Sequence, residues 1–261
     1  MSDHPADLIE ACAQALMTAE TAAQPIARLT DTHTTLDEAA AYAIQARKVA
    51  LRGSRRVGYK LGYTSAAMRA QMNIDHPNYG VLTDDLRVDE TDGCLAASRL
   101  IHPRVEPEIA LLTGRDIGGP GHSRSSIFQA VEAVLPALEI VDTRYHDYTF
   151  TAADNISDNS CSARFVTGMP RALSTVPDLR LLGVLLWSQG RTLDQGIGAN
   201  ALGDPLLALA WLAGFLAERG EIIPAGSLIL TGGLTRAHPA QAGQSLLAEF
   251  ATLGTVRVHF E

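Results

Sequence analysis

Apolar positions change their spacing along this chain, from a helical period at the start to a period of two further on. From Pro5 to about Ala23 the sequence is alanine-rich and helical in pattern. Thr35-Leu36-Asp37-Glu38 has the form of a capping box, with a Thr to cap the first turn and a Glu three residues on to reach back. The helix it opens runs through Ala39, Tyr42, Ala43 and Ala46 and stops near Gly53. Between Arg56 and Tyr63 the period becomes two: Val57, Tyr59, Leu61 and Tyr63 alternate with Gly58, Lys60 and Gly62. One face of this strand is apolar; the other carries a lone lysine between two glycines. Glycine weakens a strand interior and often marks a close approach. Ser65 reads as the N-cap of a short helix through Met68 and Met72.

Further strands are predicted at Arg104–Leu112, at Ala137–Val141 after Pro136, and at Ser227–Thr231, Ser245–Ala251 and Thr255–Phe260. Leu181–Gln189 and Arg191–Gln195 form a hairpin around Gly190. Ser123 to Val134 reads as a helix, and Asp204-Pro205 opens another that Gly220 closes. Helices gather in the first third and strands follow, so this is not a regular βαβ alternation. The expectation is an α+β fold, with a curved, mostly antiparallel or mixed sheet wrapped by a few helices. No repeat or clean boundary divides the chain. Residues 1–261 read as a single unit, with 1–55 mainly helical and 56–261 a β-rich core.

Charge removes one class of partner. The formal net charge is −8, and an acidic surface repels phosphate backbones, which argues against nucleic acid. Arg52, Arg55 and Arg56 read as a solvated helix end. Cys12, Cys94 and Cys161 are far apart, without zinc-type or disulfide spacing, and read as reduced thiols of a cytoplasmic protein. The N-terminus has acids and a proline where a signal peptide needs a basic start. No apolar run predicts a membrane span; Pro205–Leu216 reads as a buried helix.

Two carboxylates form the sharpest local feature. Glu106 and Glu108 are two apart on a predicted strand and so share a face, while Val105, Pro107 and Ile109 take the other. Like charges side by side repel unless something positive lies between them. A hard divalent cation with oxygen ligands meets that need. Glu139 interrupts the apolar run Leu138-Glu139-Ile140-Val141, where an unpaired carboxylate is costly. Pattern alone balances this reading evenly against three glutamates on solvent-facing edges. Lys60 reads equally as a buried functional amine or an exposed strand lysine. Ser157-Asp158-Asn159-Ser160-Cys161-Ser162 and Thr231-Gly232-Gly233 read as polar turns or as ligand-facing loops. His102 lies nearest the carboxylates, in a supporting role. Gly196-Ile197-Gly198 lacks the third glycine of a dinucleotide loop, and no Walker A, Gly-x-Ser-x-Gly or HExxH motif occurs.

Several segments in order resemble a known family: Gly58-Tyr59-Lys60-Leu61-Gly62-Tyr63-Thr64-Ser65, Pro77-Asn78-Tyr79-Gly80, His102-Pro103-Arg104-Val105-Glu106-Pro107-Glu108-Ile109, Leu135-Pro136-Ala137-Leu138-Glu139-Ile140-Val141-Asp142, Ser157-Asp158-Asn159 and Leu230-Thr231-Gly232-Gly233. They look like the 2-keto-4-pentenoate hydratase / 4-oxalocrotonate decarboxylase group of the fumarylacetoacetase-like superfamily. The resemblance runs from about Leu36 to Glu261. It implies a mixed β-roll core with helices outside. It implies Mg²⁺ or Mn²⁺ held by Glu106, Glu108 and Glu139, a catalytic Lys60, and a small 2-oxo acid that chelates the metal. Ser65, Asn78, Asp158, Asn159, Ser160, Arg164, Thr231 and Gly232 are the substrate-binding residues it suggests. It further implies a homo-oligomer, associated with a paralogous hydratase.

Three details lean toward the decarboxylase branch. Asn78 stands where hydratases carry an Asp placed for proton transfer. Arg164, in Ser162-Ala163-Arg164-Phe165, resembles the decarboxylase pattern and is a candidate partner for a distal carboxylate. Thr231-Gly232-Gly233-Leu234-Thr235 also looks closer to that branch. Tyr63, in place of a small aliphatic residue, and Pro107, between the glutamates, depart from the family pattern.

Overall fold

The computed structural model describes residues 6–66, 69–70, 74–89 and 93–261. The helix expected through Met68 and Met72 therefore falls partly outside the described residues. Three helices come first: α1 (Ala6–Ala22), α2 (Leu29–Thr32) and α3 (Glu38–Arg52). The Thr35 capping box does not form. Asp37 is the N-cap of α3, its carboxylate accepting from the Ala40 N–H, because Asp at that position caps as well as Thr. Gly53, in the left-handed region at φ 70°, ends the helix as expected. Leu16, Leu29, Leu36, Ala40 and Ile44 bury the facing sides of these helices against Tyr145.

The strands in chain order are β1 (Arg56–Gly62), β2 (Asn78–Thr83), β3 (Cys94–Leu95), β4 (Arg104–Thr113), β5 (Val131–Val141), β6 (Ser162–Thr167) and β7 (Arg171–Ala172). There follow β8 (Gly183–Ser188), β9 (Arg191–Ile197), β10 (Leu228–Leu230), β11 (His238–Pro239), β12 (Ser245–Phe250) and β13 (Gly254–Phe260). Helices α4 (Arg124–Ala130), α5 (Ala152–Ser157) and α6 (Pro205–Ala217) lie between them. One sheet runs β2-β1-β10-β4-β5-β6, with β1 and β10 parallel and the other neighbours antiparallel. The other runs β3-β13-β12-β8-β9.

The first sheet curls back on itself. Just past β2, Arg87 bridges Phe165 of β6, and the Val88 N–H donates to the Phe165 carbonyl at 2.8 Å. The roll so formed has an inner face of Leu82, Ala110, Leu135, Ala137, Phe165 and Leu230. Alternate residues, among them Tyr59, Ile109, Leu111, Leu138 and Ile140, point outward into the main core with the second sheet and α6.

Two prolines sit inside this sheet without breaking it. The Pro107 carbonyl accepts from the Leu234 N–H, so that edge of β4 faces the loop between β10 and β11 rather than a strand. The Pro136 carbonyl accepts from Gly168, between β6 and β7. Each proline's missing donor thus falls in a gap of the ladder. The expected helix Ser123–Val134 stops at Ala130, and β5 takes over from Val131 through Pro136. Pairing of Ala133 and Val134 with Leu112 and Leu111 of β4 overrides the local helical pattern.

The stretch Gly198–Ala217 has the length and apolarity of a membrane span. Its α-helical part, α6, has 13 residues, about 20 Å against a hydrocarbon core of about 30 Å. α6 buries Leu206, Leu209, Leu212 and Leu216 in the core.

A buried ion network joins the helical part to the roll. Lys48 of α3 lies 2.9 Å from Asp158 and 3.1 Å from Glu20 of α1. Arg144 pairs with the Asp158 carboxylate and donates to its main-chain carbonyl at 2.6 Å. Arg52 bridges Glu20 and Asp85. Burial would push the Glu20 carboxyl up, but Lys48, Arg144 and Arg52 outweigh it and hold it far below the ordinary range. Removing one member of such a network leaves its partners charged and dry. Asp158→Asn is expected to lower unfolding free energy by about 3–5 kcal/mol, measured by urea denaturation; a loss under about 1 kcal/mol would contradict this reading.

Candidate metal centre

The register of β4 on β5 brings the three glutamates together. Glu106 lies directly opposite Glu139, and Glu108 opposite Ala137, all on the inner face of the roll. One carboxylate oxygen from each lies within 4.8 Å of the others. Glu108 and Glu139 are fully buried. Burial raises all three carboxyls. Glu106 is pushed up to about 7, burial outweighing the opposing pull of Lys60. Glu108 rises well above the ordinary range through burial and the neighbouring Glu139. Oε1 of Glu108 and Oε1 of Glu139 lack a hydrogen-bond partner among the described residues. Three convergent carboxylates with unpartnered oxygens fit a hard divalent cation.

The glycines after β10 support this cluster. The Gly232 N–H donates to Oε2 of Glu108 at 2.7 Å. Gly232 sits at φ 115°, and a Cβ there would come within 2.1 Å of the Thr64 hydroxyl oxygen, so only glycine fits. The anion that this turn cradles is the protein's own carboxylate.

Lys60 closes the cluster from β1. Its Nζ lies 3.0 Å from Glu139 and donates to the Ser160 carbonyl, also at 3.0 Å. Burial alone would lower its pKa, but Glu139, Glu106 and Glu108 outweigh burial and raise it. The Ser160 carbonyl is aimed by an unusual turn: Asn159, Ser160 and Cys161 lie at φ 56°, 53° and 57°. Left-handed backbone costs an L-residue roughly 1–2 kcal/mol, and such strain gathers at functional sites. A Cβ on Gly62 would fall 2.2 Å from Asn78 Oδ1 and 2.5 Å from Ser160 Oγ, which explains the glycine beside the lysine.

A cavity of about 410 Å³ opens onto this cluster. Lys60 and Glu106 line its inner end, with Tyr63, Arg104, Tyr148 and Phe150 among its walls. Ser65 and Ser160 also line it. Asn78 sits behind Ser160, accepting from its hydroxyl at 3.0 Å and donating to Asn155 at 2.7 Å.

Five of the suggested substrate residues are turned to other work. Asp158 is committed to Arg144 and Lys48. The Asn159 side chain clamps the main chain of Val81 with bonds of 2.7 and 2.9 Å. The Thr231 hydroxyl donates to the Ile109 carbonyl. Gly232 holds Glu108. Arg164 pairs with Ile140, one residue past Glu139, and so lies on the outer face of the roll. Its charge is felt by Glu20, Arg52 and Asp85, away from the cavity. Conversely Arg104, Tyr148 and Phe150 line the cavity unforeseen, while Cys161 lines it from the loop that the sequence offered as ligand-facing. Only Arg104 left a signal, being two residues from Glu106 on the same strand face. His102 packs behind Tyr148 at a tilt, ring centroids 4.8 Å apart and planes at 46°.

Comparison with known proteins places the whole chain in a family. No family model matches the chain. A 4-oxalocrotonate decarboxylase of Pseudomonas putida is 39% identical over 253 residues, 96% of each chain. A 2-keto-4-pentenoate hydratase of Paraburkholderia xenovorans strain LB400 is 36% identical over 260 residues, 97% of this chain and 94% of that one. The structure of 4-oxalocrotonate decarboxylase from Pseudomonas putida G7, complexed with magnesium and adipate, superposes with a TM-score of 0.95 at 37% identity, covering both chains completely. A fumarylpyruvate hydrolase from Pseudomonas aeruginosa shares the fold alone, at 17% identity and a TM-score of 0.61 over 79% of this chain and 89% of that one. With its fumarylacetoacetase-like roll and near-complete alignment to both kinds of enzyme, the chain belongs to the 2-keto-4-pentenoate hydratase / 4-oxalocrotonate decarboxylase family.

Proposed function

We propose that this chain is a divalent-metal-dependent 4-oxalocrotonate decarboxylase, releasing CO₂ from 2-oxohex-3-enedioate. The observation that carries the reading is the convergence of Glu106, Glu108 and Glu139 with Lys60 at the end of one cavity, in a chain 39% identical to such a decarboxylase. Glu106, Glu108 and Glu139 would hold Mg²⁺ or Mn²⁺. When bound, the ion supplies Lewis acidity toward the substrate's 2-oxo group. In the reaction the bond to the distal carboxyl carbon breaks and CO₂ leaves. The electron pair moves through the conjugated chain toward the 2-oxo oxygen, and one proton is taken up to give the five-carbon 2-hydroxydienoic acid.

The chain's own residues orient and protonate. Lys60, fixed by the Ser160 carbonyl, holds a proton beside the end of the chain where negative charge grows. Val141, Tyr148 and Phe150 keep the cavity wall apolar. Asn78, a neutral amide locked between Ser160 and Asn155, cannot act as an acid or base. That supports loss of CO₂ over addition of water, the alternative reaction on 2-hydroxypenta-2,4-dienoate. The reading includes a cytoplasmic homo-oligomer built from whole chains and associated with a paralogous hydratase. In support, Phe128 of α4 and Leu207 of α6 leave 41% and 43% of their surface exposed on helices that touch each other.

Incubation of the protein with 2-oxohex-3-enedioate and Mg²⁺ is expected to release CO₂. Loss of the dienol absorbance from 2-hydroxypenta-2,4-dienoate without CO₂ would instead mark a hydratase. Glu106→Gln should abolish turnover, in the chain alone and in its assembly with the paralogous hydratase, and leave the fold intact by circular dichroism; activity surviving in the assembly would make this chain a structural partner. Lys60→Met is expected to lower kcat by about 10²- to 10⁴-fold, read in steady-state kinetics.

A pH dependence follows from the carboxyl cluster. Below its ordinary value of 4.5 Glu106 is neutral both folded and unfolded. Ionising it in the fold costs stability as pH rises toward its folded value of about 7. A cation offsets that cost only when the carboxylates are ionised. The rise in Tm on adding a fixed concentration of Mg²⁺ should therefore be larger at pH 8 than at pH 6; equal shifts in a thermal melt would argue against the cluster as the ion's seat.

A further inference from the structure

We propose that Arg104 is the residue that selects diacids, its guanidinium receiving the carboxylate at the far end of the 2-oxo acid. The inference rests on the metal-dependent reading above and adds a specificity residue to it. Arg104 precedes Glu106 by two residues on β4, so both lie on the inner face of the roll. Two residues of strand place it about 7 Å further along. Both residues line the same cavity, as does Val141, directly opposite Arg104 on β5.

Arg104 is held and yet uncommitted. Its guanidinium carbon lies 3.8 Å from the centroid of the Tyr148 ring, a cation–π contact. That ring is itself fixed: its hydroxyl donates to the Val141 carbonyl at 3.0 Å, and the His102 ring packs against it at a tilt. The turn that presents it is strained, with Asp147 at φ 56° and Tyr148 at φ 54°. Among the described residues the Arg104 guanidinium forms no ion pair and no hydrogen bond. A preorganised cation with its fork of donors open to a cavity is a receptor for a carboxylate.

Length and charge agree with one end of the proposed substrate. The 2-oxo acid end is directed to the glutamates and Lys60. Five carbon–carbon bonds of roughly 1.5 Å in zigzag span about 6 Å, close to the step from Glu106 to Arg104. Lys60 is tied to Glu139 and Ser160, and Arg164 lies on the other face of the sheet, so neither competes for the distal group.

The same geometry sets what Arg104 does and does not do. The carboxylate it would hold is the one that leaves as CO₂. Negative charge departs from that carbon as the bond breaks, so a cation there favours bound substrate more than the transition state. Arg104 therefore acts on binding and selectivity rather than on bond breaking.

The test compares 2-oxoadipate with 2-oxohexanoate, which differ only in the terminal carboxylate, by titration calorimetry at fixed Mg²⁺. Wild-type protein is expected to bind the diacid about 10- to 100-fold tighter, the range of a hydrogen-bonded charge pair. In Arg104→Gln that preference should collapse to under about threefold, with 2-oxohexanoate bound as before and so reporting a folded, metal-loaded site. Arg104→Lys, which keeps the charge but loses the fork, should retain part of the preference. In turnover of 2-oxohex-3-enedioate the loss in Arg104→Gln should be carried by KM and not by kcat. If wild type prefers the diacid and Arg104→Gln still does, the role of Arg104 is overturned while the decarboxylase reading stands. If wild type shows no preference for the diacid, the diacid substrate falls, and the inference with it.

Discussion

Mutual repulsion among three crowded carboxylates, two of them fully buried, is the constraint around which this protein is arranged. Strand pairing forces one carboxylate oxygen from each of Glu106, Glu108 and Glu139 within 4.8 Å of the others, with Glu108 and Glu139 fully buried. The surroundings answer with positive charge and donors: the Lys60 ammonium, the Gly232 N–H, and a position fit for a divalent ion. Each answer needs its own backbone accommodation. Gly232 must be left-handed to aim its N–H. The Asn159–Cys161 turn must be left-handed to aim a carbonyl at Lys60. The sheet must curl so that β1, β4 and β5 look inward at one another.

Much of this was legible in the residues, and the failures share a cause. The parity of Glu106 and Glu108 is a local property, so one strand was enough to read it. Their meeting with Glu139 depends on register between β4 and β5, which no local pattern carries; the family resemblance supplied it. Elements were misjudged where tertiary pairing won over local signal. Val131 and Val134 continued a helical pattern yet joined β5, and Asp37 displaced Thr35 as a cap of equal quality. The loops misled in another way. Polar residues in Ser157–Ser162 suggested a ligand, but Asp158 and Asn159 face inward and satisfy Arg144, Lys48 and Val81. Polarity announces that hydrogen bonds will be made, and leaves open with whom. Arg164 shows the same limit for faces, since only the closure of the roll decides which side of β6 is inside.

The buried ion network has a different logic from the metal cluster, although both pack charge into a dry interior. Around Asp158 and Glu20 the signs alternate, and Lys48, Arg52 and Arg144 leave no carboxylate unopposed. That arrangement ties α1 and α3 to the turn that holds Lys60. The helical part of the chain thus supports the site through Asp158, one residue from the strained turn, and among its described residues none lines the cavity.

Lys60 is held by a main-chain oxygen. The Ser160 side chain points elsewhere, to Asn78. Alanine scanning, which removes side chains and leaves carbonyls in place, is blind to such a contact. A scan would score position 160 by its bond to Asn78 and record nothing of its hold on the lysine. The contact is exposed only by replacements that move the backbone, such as a proline or an insertion in the turn. Substitution tolerance at this position is therefore a poor guide to what the position does.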